Sequence, residues 1–356
     1  MKVSLCVVAY NEENFLPNLF LDFKAQTYPH ELIEVVLVDS VSTDGTRRIM
    51  EKFSDEENGF CAVKVVENHK KVQAAGWNVA ISNSDGDAII RIDAHTHIPA
   101  DFVLKNIENL QNGEDISGGM RPCLIENENS WTHTLLEVEN SLFGSSINQC
   151  RRGAEDKSTK IYVKTMFHAT YKREVFASVG GFNENLLRTE DNEMHCRIRK
   201  AGFKLCFDSS IISYQYARSN LKKMIKQKYG NGKWIGLTLG VCPACVSLFH
   251  LVPLCFVLGI VFTSVLGGIG FWQLGALMWT MYAVFGVVST VVSIKHDGFL
   301  LPKLLMPFLF LILHVAYGIG TAIGIIKMPF KRKELSHCDE IERVQLRIKQ
   351  KLAKTC

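Results

Sequence analysis

The segment RIDAHTHIPADF, residues 91–102, sets the carboxylate Asp93 and the imidazoles His95 and His97 at alternate positions directly after the apolar run DAII. In an extended chain alternate side chains share a face, so Asp93 and His95 offer one oxygen and one nitrogen to a single point. A cation site, a clamp on a polar substrate and the polar end of an ordinary strand all fit that pattern. Three other polar groups stand out: Asn11 with Glu12 in AYNEE, Asp39 with Asp44 in DSVSTDGT, and Glu190 with Asp191 in LLRTEDNEMHCRIRKAG. In the last, Thr189 reads as an N-cap, Met194 and Ile198 as an apolar stripe and Gly202 as a stop. Glu190 and Asp191 then sit in a first helical turn, where the helix dipole favours the ionised, proton-accepting form. Acids there also serve plain helix stability.

The elements that must position these residues alternate two periods. VSLCVVA, IEVVLVD, CAVKVVEN and DAIIRIDA read as strands, separated by helical patterns in NFLPNLFLDFKA, GTRRIMEKF and VQAAGWNVAIS. Strand and helix in turn predict a parallel sheet with helices on both faces, whose ligands bind beyond the carboxyl ends of the strands. AYNEE, DSVSTDGT and DAHTH each close a strand, so their acids are expected on one rim. Singly each is explained as a cap or a turn; together they predict a polar ligand site.

Of the 356 residues 47% are apolar and 21% charged, a balance that fits a folded protein, but the apolar residues crowd between 244 and 326. There ACVSLFHLVPLCFVLGIVFTSVLG, FWQLGALMWTMYAVFGVVSTVVSI and LPKLLMPFLFLILHVAYGIGTAIGII each reach the roughly 20 residues that cross a bilayer. MKVSLCVVAYNEE lacks the pattern of a secretory signal, and the cysteines lack framework spacing, so free thiols in a reducing compartment are expected. CPAC, at Cys242–Cys245, reads as small residues at a membrane boundary. The net charge of +4 is too small to argue for nucleic acid.

VSLCVVAYNEENFL, VLVDSVSTDGT, AAGWNVAISNSDGDAIIRIDAH, VGGFNENLLRTEDNEMHCRIRKAG and the membrane-embedded C-terminus together resemble inverting family 2 glycosyltransferases of the GT-A fold. The nearest branch is the succinoglycan-biosynthesis type, in which Asp-Ala-His replaces Asp-x-Asp. The resemblance spans residues 1–235 in order. It implies an α/β nucleotide-sugar-binding domain with a mostly parallel central sheet, followed by an α-helical transmembrane region. It places Ala9, Tyr10, Asn11, Glu12 and Asp39 around the base and ribose of a nucleotide sugar, Ser40 and Asp44 in the following turn, and Asn78 and Arg91 near the diphosphate. A carboxylate accepts hydrogen bonds from such a base or sugar, and a guanidinium forks onto phosphate.

Within the resemblance Asp93, and His95 beside it, would ligate a divalent cation that stabilises the charge of a departing diphosphate. The imidazole leans the choice between Mn²⁺ and Mg²⁺ toward Mn²⁺. The family's Thr-Glu-Asp triplet makes Asp191 the general base and gives Glu190 the task of orienting acceptor or base. Two departures stand out. GNGKW, with Gly230 and Lys233, replaces the Gln-x-x-Arg-Trp of processive members, which leaves Lys233 and Trp234 to meet the acceptor and points to addition of one sugar. Lys164 also occurs where an acid is expected in YVKTMFHATYKREVF.

The expected organisation is a catalytic domain over residues 1–217, an interfacial segment over 218–241, transmembrane helices over 242–328 and a basic tail over 329–356. In the second, Leu221, Met224 and Ile225 share a helical face ringed by Lys222, Lys223, Lys226 and Lys228, the pattern of a helix lying on anionic lipid. The basic loop KHDGFLLPK faces the cytosol by the positive-inside rule, in agreement with a cytoplasmic head on a multi-pass plasma-membrane protein. Three crossings would put the tail outside, yet residues 327–356 hold nine Lys or Arg against four Asp or Glu, which favours the inside. A re-entrant third segment, marked by Pro302 and Pro307, reconciles the two. The expected activity moves one sugar from a nucleotide donor, UDP-linked, to a hydroxyl of a lipid-linked saccharide in surface-polysaccharide synthesis. The alternatives are a polyprenyl-phosphate sugar synthase and an inactive membrane protein that binds sugar nucleotides.

Overall fold

The computed structural model describes residues 1–144, 159–217, 220–298 and 300–355. In chain order the elements are β1 (Val3–Ala9), α1 (Leu16–Lys24), β2 (Ile33–Asp39), α2 (Thr46–Asp55), β3 (Ala62–Glu67), α3 (Gln73–Asn83), β4 (Ala88–Asp93), β5 (Thr96–His97), α4 (Phe102–Gln111), β6 (Ile116–Met120), β7 (Cys123–Leu124) and α5 (Ser130–Asn140). They continue as β8 (Lys160–Val163), β9 (Thr170–Lys172), α6 (Arg173–Val179), α7 (Glu190–Lys200), β10 (Leu205–Ile212), β11 (Tyr214–Tyr216), α8 (Leu221–Thr238), α9 (Val252–Gly268), α10 (Trp272–Asp297), α11 (Met306–Ser336) and α12 (Asp339–Thr355). Two compact units result: Met1–Pro122 with Arg152–Gln215 and His337–Cys356, and Cys123–Arg151 with Tyr216–Ser336.

The first unit is built on an eight-stranded sheet in the order β3-β2-β1-β4-β9-β6-β10-β8. β1 pairs in parallel with both β2 and β4, and β2 with β3. The expected mostly parallel α/β sheet is present. All seven residues of β2 are buried, as a parallel strand covered on both faces requires. That includes Glu34, whose carboxylate takes hydrogen bonds from the Ser4 hydroxyl and the Asp85 amide and pairs with Lys64. The helices lie close to the strands: at Gly76 of α3 any Cβ would collide with Val8 of β1.

Strand register fixes where the acids emerge. Ala9 stands opposite Asp39 on one side of β1 and Val8 opposite Asp93 on the other, so the two acids end strands that are two spacings apart, about 10 Å. β9, which no periodicity reveals in its three residues, inserts antiparallel between β4 and β6. It brings the chain around Ala169 beside Arg91, whose amide donates to the Ala169 carbonyl.

The expected tail from 329 divides differently. α11 runs on to Ser336 with Pro329 inside it, and α12 folds into the first unit. There Gln345 Nε2 donates to the carbonyls of Ala177 and Ser178, and Lys351 Nζ to Ser84 O and to Asp85, each of the latter at 2.7 Å. Ile341, Val344 and Ile348 recur at helical spacing, and the last two are buried. That apolar face, rather than the surplus of positive charge, decides the fate of this segment.

In the second unit three helical stretches are long and apolar enough to cross a membrane: Leu248–Gly268, Trp272–Lys295 and one within Leu301–Lys354. α8 runs alongside α11 through small residues, with Gly232 against Tyr317 and Thr321, Gly236 against Thr321 and Gly324, and Gly320 against Tyr229. Such residues let two helix backbones approach closely. The apolar face of α8 differs from expectation, because Leu221, Met224 and Ile225 pack with Leu135 and Val138 of α5 and with Met306, Leu309, Phe310 and Leu313. Protein rather than lipid covers it, and for the same reason α5, expected within the catalytic domain of residues 1–217, belongs to the second unit. Lys222, Lys223 and Lys226 remain exposed, while Lys228 is buried near Glu139. Cys242 and Cys245 form a disulfide in place of the expected free thiols.

Candidate active site

The first side of the site is made by the chain after β1 and after β2. Asn11, at a left-handed φ of 56°, takes a hydrogen bond on its side chain from the Thr43 amide, and its own amide donates to Ser42 Oγ. The Glu12 amide donates to Thr46 Oγ1, and the Gly45 amide to Glu13 Oε2. Asp44 receives the amides of Thr46 and Glu13, which makes it a turn and cap residue. Asp39 accepts from the Ser42 amide at 3.1 Å. Ser40 is buried, with its hydroxyl on Asn68 Nδ2 and its amide on the carbonyl of the buried Ala9. Tyr10 stands 50% exposed beside them, an aromatic face open to a planar ligand.

The second side begins where β4 ends. The chain turns at Ala94 and His95 before β5, so His95 reaches the site through a turn rather than by strand alternation. Its Nδ1 lies 3.2 Å from Glu12 Oε1 and its Nε2 3.0 Å from Gln215 Nε2. Burial lowers the His95 pKa, but the Glu12 hydrogen bond and the charges of Asp93 and Glu12 outweigh it and raise the value. Glu12, expected near the base and ribose, lies against this imidazole. His97 diverges: it is exposed, bonded to Asp22 at 2.8 Å and stacked on Tyr214.

Asp93 receives His168 Nε2 on Oδ2 at 3.3 Å, has Gln73 Nε2 at 3.3 Å from Oδ1, and lies 3.9 Å from Arg121. Burial alone would raise its pKa; the His168 hydrogen bond and the nearby positive groups reverse this and hold it well below the usual carboxylate range. Burial pushes His168 down; with its proton on Nε2 the ring donates to Asp93 and accepts from the Ser213 hydroxyl at Nδ1, 2.8 Å away. Asp93 offers an ionised hard oxygen that suits Mn²⁺ or Mg²⁺, while His95, with both ring nitrogens engaged by Glu12 and Gln215, would have to release one to ligate. Among the described residues no third His, Cys or carboxylate gathers with these two at ligand spacing, so a cation here would fill its shell with oxygens of a bound ligand.

The third side is the start of α7. Thr189 occupies the N-cap position without a side-chain capping bond, and Glu190, Asp191 and Glu193 fill the first turn. Asp191 Oδ1 lies 2.6 Å from Arg91 NH1. Arg91 is 7% exposed, with its guanidinium 4.5 Å from the Trp77 ring and 4.6 Å from that of Phe182. Burial, then the charge of Asp191, pushes Glu190 up to about 8. His195, buried on Tyr171 OH and Thr165 Oγ1, is pushed down to about 4 by burial, and burial pushes Tyr171 up to about 12. At neutral pH His195 and Tyr171 therefore carry no charge, and Glu190 is pushed toward its protonated form.

Arg91 and Asn78, both expected near a diphosphate, bond to other residues of this chain. Asn78 gives its amide nitrogen to Phe182 O and Glu184 and takes the Phe182 amide on its oxygen, so it secures the loop before α7. Both are buried; Asn78 engages its whole amide with this chain, whereas Arg91 directs NH1 at Asp191 and leaves its buried Nε without a hydrogen-bond partner among the described residues. Lys233 and Trp234 belong to α8 of the second unit and are half-buried there. Reading the sequence missed His168, Tyr171 and Gln215. His168, at a left-handed φ of 44° just before β9, carries no local pattern, and pairing of β9 with β4 is the only signal that would have found it.

Residues 4–180 match the sequence model described as Glycosyl transferase family 2. A relative from Methanococcus voltae, named dolichyl N-acetyl-alpha-D-glucosaminyl phosphate 3-beta-D-2,3-diacetamido-2,3-dideoxy-beta-D-glucuronosyltransferase, is 24% identical over 337 residues, 91% of this chain and 97% of that protein. Succinoglycan biosynthesis protein ExoA of Rhizobium meliloti (strain 1021) is 28% identical over 205 residues, 56% of this chain and 58% of its own. Among solved structures, the mannosyltransferase PcManGT from Pyrobaculum calidifontis, in complex with GDP-Man and Mn²⁺, aligns with a TM-score of 0.61 at 16% identity, covering 90% of this chain and 87% of that one. At that identity the likeness speaks for the fold, which is GT-A.

Proposed function

We propose, from the premise that this chain carries a glycosyl transferase family 2 domain and is a glycosyltransferase, that it moves a single sugar from a UDP-linked donor to a hydroxyl of a lipid-linked saccharide, with inversion at the anomeric carbon. The observation that carries this is the meeting of two acids from distant parts of the chain: Asp93 ends β4, and Asp191 is bonded to Arg91 of that same strand. Inversion needs a base on one side of the anomeric carbon and a stabilised leaving group on the other. Asp191 takes the acceptor proton as the new bond forms, while Asp39 and Tyr10 receive the uridine. A divalent cation held by Asp93, with His95 beside it, would neutralise the diphosphate as it departs.

A lipid-linked acceptor is supported by the three long apolar stretches and by the name of the Methanococcus relative. We place the first unit in the cytoplasm at the plasma membrane. The chain leaves that unit after Gln215 and re-enters it at His337, so the intervening segment crosses the bilayer an even number of times. One of the three apolar stretches does not cross, and Pro302 and Pro307 mark the third. A reporter fused at the C-terminus is expected to be active only in the cytoplasm; activity only outside contradicts this topology.

The test of function uses the full chain in lipid nanodiscs with a panel of labelled UDP-sugars and a polyprenyl-diphosphate-linked saccharide, with Mn²⁺ or with EDTA. The expected result is transfer from one donor, lost with EDTA, giving a product of inverted anomeric configuration by NMR. Retained configuration, or transfer to polyprenyl phosphate alone, contradicts the proposal.

A further inference from the structure

Neither Asp93 nor Asp191 by itself sets the distance between the place of the cation and the place of the proton. We infer that Arg91 is the positioning residue that does so, holding the base from the strand that ends in the cation ligand, and that it does not touch the donor diphosphate. This rests on the reading of Asp191 as base.

Arg91 and Asp93 are two residues apart on β4, so their side chains leave the same face of the strand with Cα atoms about 6.5 Å apart. One guanidinium nitrogen meets Asp191 Oδ1 at 2.6 Å. Trp77 and Phe182 both pack against the guanidinium, their ring centroids 4.5 and 4.6 Å from its central carbon, and both rings are fully buried. Such a slot accepts a planar cation and prevents it from swinging away. The slot is itself braced: Asn78, one residue after Trp77 on α3, bonds the Phe182 amide and carbonyl. A rigid strand, a wedged guanidinium and a short ion pair thus form a ruler from Asp93 to Asp191. At 7% exposure, with NH1 on Asp191 and Nε buried, Arg91 offers no exposed pair of nitrogens for a phosphate fork.

An error of about 1 Å in the place of a catalytic group costs on the order of 100-fold in rate, which sets the scale of the test. Full-length Arg91→Met, Arg91→Lys, Asp191→Asn and the double variant R91M/D191N are compared in nanodiscs. Turnover is measured beside UDP affinity in the presence of Mn²⁺, and thermal unfolding identifies the folded variants. In Arg91→Met turnover is expected to fall about 100-fold with UDP affinity within about threefold. Arg91→Lys, which keeps the charge but not the plane, is expected to recover about tenfold of that loss. In the Asp191→Asn background, Arg91→Met should cost less than about threefold more, because Arg91 acts through Asp191.

A drop of about tenfold or more in UDP affinity for Arg91→Met, or an equal cost in both backgrounds, overturns the assignment. If Arg91→Met does not fold, Arg91→Lys decides by the same split: lower turnover at constant UDP affinity supports the role, and weakened UDP binding overturns it. Wild-type turnover in Asp191→Asn would remove the base itself, and the role of Arg91 with it, whatever the affinities.

Discussion

The two sides of the sheet's carboxyl edge are held together in different ways. On the β1–β2 side the bonds join two loops some thirty residues apart and run mostly to backbone amides: Asn11 to Ser42 and Thr43, Glu12 to Thr46, Glu13 to Asp44 and Gly45. They are numerous and solvent-accessible. On the β4–α7 side the bonds among the described residues are fewer and part-buried, and they join positions far apart in the chain, with separations of 75 for His168–Asp93 and 100 for Arg91–Asp191. A redundant exposed lattice spreads the cost of losing one member, whereas a buried group stripped of its only partner carries its full desolvation cost. The first side is suited to receive a ligand by shape, the second to hold charged groups at fixed positions.

The largest effect is expected from Asp191→Asn on the buried side. Turnover should fall about 1,000-fold with UDP affinity in Mn²⁺ within about threefold, a loss confined to the transition state. A variant within tenfold of wild type would erase the contrast between the two sides. Next is His168→Phe, which removes the donor to Asp93 while filling its space. Mn²⁺ affinity, measured without turnover by the electron paramagnetic resonance of the free ion, is expected to weaken about 10-fold or more, as for other partners of metal ligands. Unchanged affinity would mean that Asp93 holds its place unaided.

A smaller effect, visible only against pH, is expected at Glu190. Burial and the charge of Asp191 raise its folded pKa from 4.5 to about 8. Its contribution to stability is therefore whole below 4.5 and is lost as pH rises through about 8. Thermal midpoints of the wild type should decline over that window more steeply than those of Glu190→Gln; parallel curves would place the titration elsewhere. The smallest effect belongs to the exposed side. Asn11→Ala should cost about 1 kcal/mol or less in stability and change UDP affinity by less than about threefold, because Ser42, Thr46 and Gly45 keep the loops joined. A tenfold loss would mean that this lattice is not redundant.

The same division explains what the sequence discloses. The strands β1 to β4, the helices between them and the acids at the strand ends follow from period and from punctuation, which are local. Asp39, Asp44 and Asn11 belong to loops whose partners lie in the next loop but one, and their neighbourhood is legible for that reason. Arg91 is visible as a cation but not as the partner of Asp191, because that pairing depends on how α7 returns to the sheet. His168 depends on β9, three residues whose place in the sheet only tertiary pairing fixes. The charge surplus of α12 masks its regular face of Ile341, Val344 and Ile348, since a surface helix carries its charges on the side that its core does not use.

The central claim, that Asp39, Asp93 and Asp191 serve one pocket, is tested most directly by a structure of the full chain with UDP and Mn²⁺, using anomalous scattering to locate the metal. The expected result is Mn²⁺ bound to Asp93 and to the diphosphate, the uracil beside Tyr10 and Asp39, and Asp191 facing the outer phosphate from its bond with Arg91. Metal away from Asp93, or a nucleotide seated where Asp191 cannot face it, would contradict the account.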